Sequence, residues 1–283
     1  MTTDTLLAPQ AVNLQAQVSG SSFYTAMRLM PRAEREAMFA IYAFCRLVDD
    51  IADDGTRPRP VRAQELESWR ADLAALYAGQ PAGRAAFLAG PVRDFGLRHA
   101  DFLAVIDGMA MDVAADIQAP GLATLDLYCD RVASAVGRLS VRVFGMEEAP
   151  GLALAHELGR ALQLTNILRD LDEDAGIGRL YLPREVLEAA GIASDDPLAV
   201  VADPRVDAAC RALAPRALAH FAAADRLLAS RPRGRLLAPR LMAAVYRVIL
   251  EKMLAQGWAA PRRRARVGKA RLLWLVARCG LAR

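Results

Sequence analysis

Lysine is almost missing from this chain. Lys252 and Lys269 are the whole complement, so arginine carries nearly all of the 36 basic charges. Aromatic residues make up only 6 % of the sequence. No apolar run approaches the roughly eighteen residues a membrane-crossing helix needs, so the chain is not expected to span a bilayer. Cysteine is sparse and scattered: Cys45, Cys129, Cys210 and Cys279 form no CxxC pair and have no histidine at ligand spacing. A structural zinc site or a disulfide framework is therefore not expected, and a reducing cytoplasm fits. The opening MTTDTLLAPQ has no basic stretch followed by an apolar core, so no secretory signal is read there. Any strand-turn-strand rhythm is missing too.

What the sequence does have is apolar material at helical spacing. Of 283 residues, 54 % are hydrophobic and 24 % charged, a globular composition with length enough for one large core. Apolar positions recur in threes and fours, as in Leu152, Ala155, Leu158, Ala161 or Leu162, then Ile167 and Leu171. Breakers fall at Pro31, Gly55 to Pro60, Gly79 to Pro81, Pro120-Gly121, Glu147 to Gly151, Gly176 to Pro183, Asp195 to Pro197 and Arg231 to Gly234. The pattern predicts an all-α fold: a single-domain multi-helix bundle over residues 19–283, after a disordered lead over 1–18. Gly176 and Gly178 make a lone GxG with no strand before it, so a dinucleotide site is not supported.

Two acidic clusters break the apolar pattern. In LVDDIADD, Asp49 and Asp53 are four apart and share a helix face, with Arg46 and Tyr42 behind them on the same stripe. In QLTNILRDLDED, Gln163, Asn166, Asp170 and Asp174 step by three, four and four, predicting one face of one helix. Asp112 and Asp116 share the four-residue spacing and are read as a solvated pair. The two stripes differ because amides, a tyrosine and an arginine fall in register with the acids, on helices whose flanks are apolar. Should both stripes face one cavity, two like charges at ~4 Å repel by roughly 4 kcal/mol at an effective dielectric of 20. A divalent cation removes that cost. Carboxylate and amide oxygens suit Mg²⁺, which recruits phosphate oxygens to finish its shell, and Arg46, Arg169 and Arg179 are placed to grip the phosphate.

At these residues the sequence resembles the squalene and phytoene synthase family. LGRALQLTNILRDLDEDAGIGRLYLP, Leu158 to Pro183, fills every position of LGxxxQxxNxxRDxxED followed by RxYxP. YCDRVASAVGRLS, Tyr128 to Ser140, fits the family's second signature, and AIYAFCRLVDDIAD carries its first aspartate motif. The likeness runs in order from about Ser19 to the C-terminus. It implies an isoprenoid synthase bundle around a central apolar cavity. It further implies that Asp49, Asp53, Asn166, Asp170 and Asp174 bind Mg²⁺ bridging prenyl diphosphates. Tyr42, Arg46, Gln163, Arg169 and Tyr246 would contact diphosphate oxygens, and Ser21 and Ser22 stand where the family has a diphosphate-binding flap. This chain reads GSSFY where SKSF is common, which weakens the carry-over to each serine. Phe23, Tyr24, Phe44 and Tyr246 are aromatic candidates for stabilising an allylic cation, with core packing the favoured role for Phe44. His99, His156 and His220 are isolated and read as surface or capping residues. By the resemblance, released diphosphate would take the proton lost on ring closure, assisted by a tyrosine.

Within the family, GSSFYTAMRLMPRAEREAMFAIYAFCRLVDDIADD is most similar to bacterial presqualene diphosphate synthases of hopanoid-linked squalene synthesis. Those join two farnesyl diphosphates head to head and stop at the cyclopropyl diphosphate, so NADPH is not expected, and squalene-forming enzymes downstream are candidate partners. Phytoene or dehydrosqualene synthesis is the alternative, since it uses the same metal residues. A non-catalytic relative acting as an assembly factor would lack the aspartate motifs, and both are intact here. From Pro261 onward the chain has eight basic residues and no acid; removing them leaves 28 basic against 32 acidic residues. Nucleic acid is not the expected partner, because Trp274 is the tail's sole aromatic and the acidic body repels phosphate. A basic helix with Leu272, Leu273, Leu275 and Val276 on it either docks on the core or touches an anionic membrane surface. The expected location is the cytoplasm, with peripheral contact at the inner face of the cell membrane left open.

Overall fold

Pro31 sets where the first long helix begins. Its fixed φ of −53° with an extended ψ cannot continue a helix backward, and α1 runs from Arg32–Asp53 directly after it. The helix stops where Asp54 folds onto its own turn, accepting from the Thr56 backbone N–H at 2.9 Å and from Arg57 Nε at 2.6 Å. In a computed structural model that describes residues 27–281, further helices follow: α2 (Arg59–Tyr77), α3 (Ala89–Phe95), α4 (His99–Ala114), α5 (Leu122–Cys129), α6 (Ala135–Val143) and α7 (Glu148–Arg169). After these come α8 (Leu171–Gly176), α9 (Arg184–Ala189), α10 (Pro197–Ala202), α11 (Val206–Ala229), α12 (Leu237–Gln256) and α13 (Lys269–Leu281). A π-turn, Asp130–Ser134, joins α5 to α6. No strand occurs among the described residues; an isolated bridge ties Gln118 to Leu180. The predicted all-α bundle stands, and no helix is long and apolar enough to cross a membrane among the residues described.

Helix α7 is the axis of the bundle. Its buried residues include Leu154, Ala155, Leu158, Ala161, Leu164, Ile167 and Leu168, which cover most of its circumference, so it must be surrounded. The neighbours are α11, α6, α12 and the π-turn. Helix α1 lies across from it, packed on α4 and α6, with Ile41, Phe44 and Val48 fully buried. Phe44 meets Trp69 and Phe102 edge to face at 5.5 and 5.1 Å, so it is a core residue as expected.

One sequence expectation needs correcting. The second acidic stripe is not carried by a single helix. α7 ends at Arg169, Asp170 adopts φ −104° and ψ 22°, and α8 starts anew at Leu171. The bonds Asp170 N to Asn166 O and Asp174 N to Asp170 O, at 2.9 and 2.8 Å, carry the four-residue spacing across the break. The kink re-aims the acids without dispersing them.

Candidate active site

Between α1 and α7 lies a cavity of about 330 Å³. Its lining climbs α7 through Leu154, Leu158, Leu162, Gln163 and Asn166, a rise of about 18 Å at 1.5 Å per residue. Phe144, Val141 and Leu154 make the deep end apolar. At the other end the lining turns polar, with Tyr42, Arg46 and Asp49 from α1 facing Gln163 and Asn166 from α7. The first acidic motif stands at the C-terminus of α1, where the backbone itself presents partial negative charge, while the second runs from the end of α7 into the first turn of α8. Around Asp49 and Asp53, carboxylates and a helix end of one sign together call for a cation.

The carboxylates register this directly. Burial, and then the like charge of Asp53, push Asp49 up to about 7, against the pull of Arg46. Burial, and then the neighbouring Asp170, push Asp174 up to about 8. Asn166 presents a buried Oδ1 with no hydrogen-bond partner, while its Nδ2 lies 3.4 Å from Gln163 Oε1. Asn166 and Asp49 line the same cavity, and an orphaned carbonyl oxygen across from a carboxylate that resists ionisation is a pair of donors suited to a hard divalent cation. No three Asp, Glu, His or Cys side chains converge into a complete metal cage among the described residues. Mg²⁺ held here would complete its shell with substrate oxygens.

The other rim residues are engaged with one another. Arg46 bridges Asp49 at 2.9 Å and Asp50 at 2.8 Å. Arg169 forks onto Asp170 at 2.8 and 2.6 Å and stands 6.0 Å from the ring centre of Tyr246, whose hydroxyl it also bonds. Tyr246 is buried, and burial pushes its hydroxyl up. Asp50 and Asp54 do not line the cavity, and neither do Asp53, Arg169, Asp170, Asp174 or Tyr246, so the lining brings together Tyr42, Arg46, Asp49, Gln163 and Asn166 of the predicted residues. Ser21 and Ser22, with Phe23 and Tyr24, lie outside the described residues, as does the lead over 1–18.

Arg179 is joined to the first acidic motif. Its guanidinium is buried and binds Asp53 Oδ1 at 2.5 Å and the Ala52 carbonyl at 2.9 Å, so it caps the C-terminal end of α1. It also stands 3.8 Å from Asp112. Asp112, read from the sequence as a solvated acid, is only 2 % exposed. It accepts from Tyr128 at 3.0 Å and from Tyr181 at 2.9 Å, and those two rings stack at 4.9 Å. Tyr128 lines the cavity, and its hydroxyl is turned into this buried node. Asp116 is the ordinary partner, pairing with Arg59 outside. Arg264 was visible in the sequence only as one of many tail arginines. It donates to Asp170 at 2.9 Å, while Arg262 holds Asp172 and the carbonyls of Trp258 and Val201.

A model of the squalene/phytoene synthase family matches residues 16–271, an interval that contains both aspartate motifs and the Tyr128 signature. The chain belongs to the squalene/phytoene synthase family. It is 62 % identical over 267 residues to presqualene diphosphate synthase of Zymomonas mobilis, covering 93 % of this chain and 91 % of that protein. Presqualene diphosphate synthase of Rhodopseudomonas palustris is 59 % identical over 262 residues, covering 93 % and 94 %. A crystal structure of a dehydrosqualene synthase in complex with ligand superposes with a TM-score of 0.77 at 26 % identity, covering 93 % of this chain and 92 % of that one. The all-α fold is thus shared with a solved relative, and the chain is nearer in sequence to these two presqualene diphosphate synthases than to that dehydrosqualene synthase.

Proposed function

We propose that the protein condenses two farnesyl diphosphates head to head into presqualene diphosphate, releasing one diphosphate and one proton. One observation carries this reading: a cavity apolar along its length and acidic at a single end, so that a prenyl tail and its diphosphate each find their own medium. Similarity at 62 % to a presqualene diphosphate synthase supports this product over a hydrocarbon.

Asp49 and Asp53 from α1, with Asn166, Asp170 and Asp174 from α7 and α8, would hold Mg²⁺ against the diphosphates. When bound, the metal supplies Lewis-acid stabilisation of the leaving diphosphate. Arg46, Arg169, Gln163, Tyr42 and Tyr246 orient the phosphate oxygens, and Ser21 and Ser22 would close over them. The allylic C–O bond breaks with its electron pair leaving on diphosphate, and the C2=C3 bond of the second farnesyl group captures the cation. Leu158, Leu162, Val136 and Phe144 keep water from it. Ring closure to the cyclopropane releases the proton. Burial holds the Tyr128 hydroxyl well above its ordinary value, so it stays protonated and donates into the Asp112 node; released diphosphate is the proton acceptor.

Incubation with farnesyl diphosphate and Mg²⁺, without NADPH, yields a C30 product that keeps one diphosphate. A C30 hydrocarbon would assign dehydrosqualene synthesis, and turnover confined to geranylgeranyl diphosphate would assign phytoene synthesis. Squalene-forming enzymes would then use the product. Its long apolar tails suit peripheral contact with the inner face of the cell membrane, through the outer side of α13.

A further inference from the structure

A second cavity, of about 690 Å³, lies where the start of α12 and the loop before it meet the end of α13. Leu29, Met30, Leu236 and Ala238 make part of its lining apolar, and Cys279 and Gly280 close it on the α13 side. Met30 and Ala238 also line the first cavity, so the two spaces share a wall. Arg231, Arg235 and Arg240 line the second cavity as well, and no acid is among its described lining residues. Its lining is thus apolar and cationic, with none of the carboxylates of the first.

The loop that carries two of these arginines is fixed on the bundle. Gly234 sits at φ 125°, and a Cβ there would lie 2.8 Å from Met146 Cγ and 3.0 Å from the Phe144 carbonyl oxygen. Next to it, the Arg235 N–H donates to that same carbonyl at 2.8 Å. Arg231 follows the Ser230 cap of α11 and adopts φ 51°, in the left-handed region. Helices commonly end in glycine at this position, because a Cβ is disfavoured there. The chain places an exposed arginine at it instead, one that makes no ion pair among the described residues. Arg235 is different, since Glu34 holds its Nε at 2.6 Å and matches its charge. Burial pushes the Cys279 thiol up, against the pull of Arg278 and then Arg240, so both guanidiniums stand near the α13 wall.

These features select a ligand. Apolar lining takes a hydrocarbon chain, and arginines take a phosphate. With no carboxylate in the lining to hold a metal, a singly charged phosphodiester suits the site better than a diphosphate. Continuity with α13 points the same way. Arg278, whose charge reaches Cys279, also stands 5.3 Å from the ring centre of the half-exposed Trp274, joining the helix's outer face to the cavity. We propose that the second cavity binds one anionic phospholipid of the bilayer, its phosphodiester on Arg231 and Arg240 and an acyl chain against Leu29, Met30 and Leu236. The inference rests on the peripheral membrane contact proposed for α13 and is independent of the coupling chemistry.

The test is calorimetric titration of the full chain with dihexanoyl phosphatidylglycerol below its micelle concentration, beside dihexanoyl phosphatidylcholine and inorganic phosphate. Phosphatidylglycerol should bind about fivefold or more tightly than either of the others. Arg231→Gly should weaken that binding about fivefold and keep the melting temperature within about 2 °C, because glycine suits the left-handed backbone. Arg231→Gly combined with Arg240→Gln should weaken it about twentyfold or more. Leu273→Ser with Trp274→Ala should leave it unchanged while lowering recovery on vesicles, which separates the cavity from the outer face of α13. Equal binding of phosphatidylcholine, inorganic phosphate bound as tightly as the lipid, or an unaltered affinity in Arg231→Gly would overturn the proposal. Flotation on phosphatidylglycerol vesicles without binding of the short-chain lipid would overturn it too and leave the α13 contact in place. Failure of the unsubstituted protein to float on any vesicle would instead overturn the membrane reading on which it rests.

Discussion

Arg264 reaches Asp170 across 94 residues of sequence, placing Nε at 2.9 Å and Nη2 at 2.7 Å from the same carboxylate oxygen. Arg169 occupies both oxygens of that acid from the other side. Asp170 is thus neutralised by arginine in a site that otherwise wants a cation. Arg264, at 41 % exposed, is the partner free to move when Mg²⁺ and diphosphate arrive. Arg264→Ala should therefore tighten Mg²⁺ binding in the absence of substrate, by about threefold given solvent screening at an exposed group. The same change should lower turnover, because a cation near the diphosphate is lost. Calorimetric titration of Mg²⁺ checks the first part, and weaker binding in the variant would contradict it.

Proton occupancy of the rim makes a pH prediction. Asp49, raised to about 7, and Asp174, raised to about 8, hold protons in the folded metal-free protein where an unfolded aspartate near 3.8 does not. The folded state binds the extra protons between about pH 4 and 8, so these two groups withdraw stability as the pH rises through that window. Mg²⁺ binds the ionised forms and restores what was lost. The rise in melting temperature caused by Mg²⁺ should be small at pH 5, grow through pH 7 and level off above about 8. A shift independent of pH would remove Asp49 and Asp174 from the metal site.

A prenyl tail lying along the apolar cavity would meet Phe144 at its end. Phe144 lines that end and is 8 % exposed. Phe144→Ala should extend the cavity and admit geranylgeranyl diphosphate, at a cost of about 3 kcal/mol in stability. Mass analysis of products from the C20 substrate decides this. A variant that folds and still rejects it would place the length limit elsewhere.

Helix α13 is split between the sequence's two readings. Leu275 is buried, and Leu272 and Val276 dock with it on the bundle, while Leu273 stands 71 % exposed. Trp274 is half exposed between Arg271 and Arg278, whose guanidinium carbons lie 4.3 and 5.3 Å from its ring centre. An apolar pair bracketed by arginines suits an anionic bilayer interface. Vesicles containing phosphatidylglycerol should float the protein, and Leu273→Ser with Trp274→Ala should reduce that recovery about fivefold or more. Equal recovery on phosphatidylcholine alone would contradict the electrostatic part.

The residues that could be read from the sequence are those whose partners sit one helical turn away. Asp49 with Asp53, and Gln163 with Asn166, follow from the 3.6-residue period alone. Asp112 could not be read this way, because its partners Tyr128 and Tyr181 lie 16 and 69 residues off and its burial depends on their packing. Arg264 was hidden for the same reason. Two local features also escaped. A period template has no place for the extra residue of the π-turn, and nothing in RDLDED marks Asp170 as a helix break. The tail's apolar residues could be counted, and only packing distinguished Leu272 from Leu273.

The most direct measurement uses farnesyl diphosphate carrying deuterium at both C1 positions, incubated with the protein and Mg²⁺ and no NADPH. Ring closure takes one hydrogen from C1 of one substrate and none from the other. The predicted product is a C30 monodiphosphate retaining three of the four deuterium atoms. A hydrocarbon retaining two, or a product that keeps all four, would contradict head-to-head closure to a cyclopropyl diphosphate.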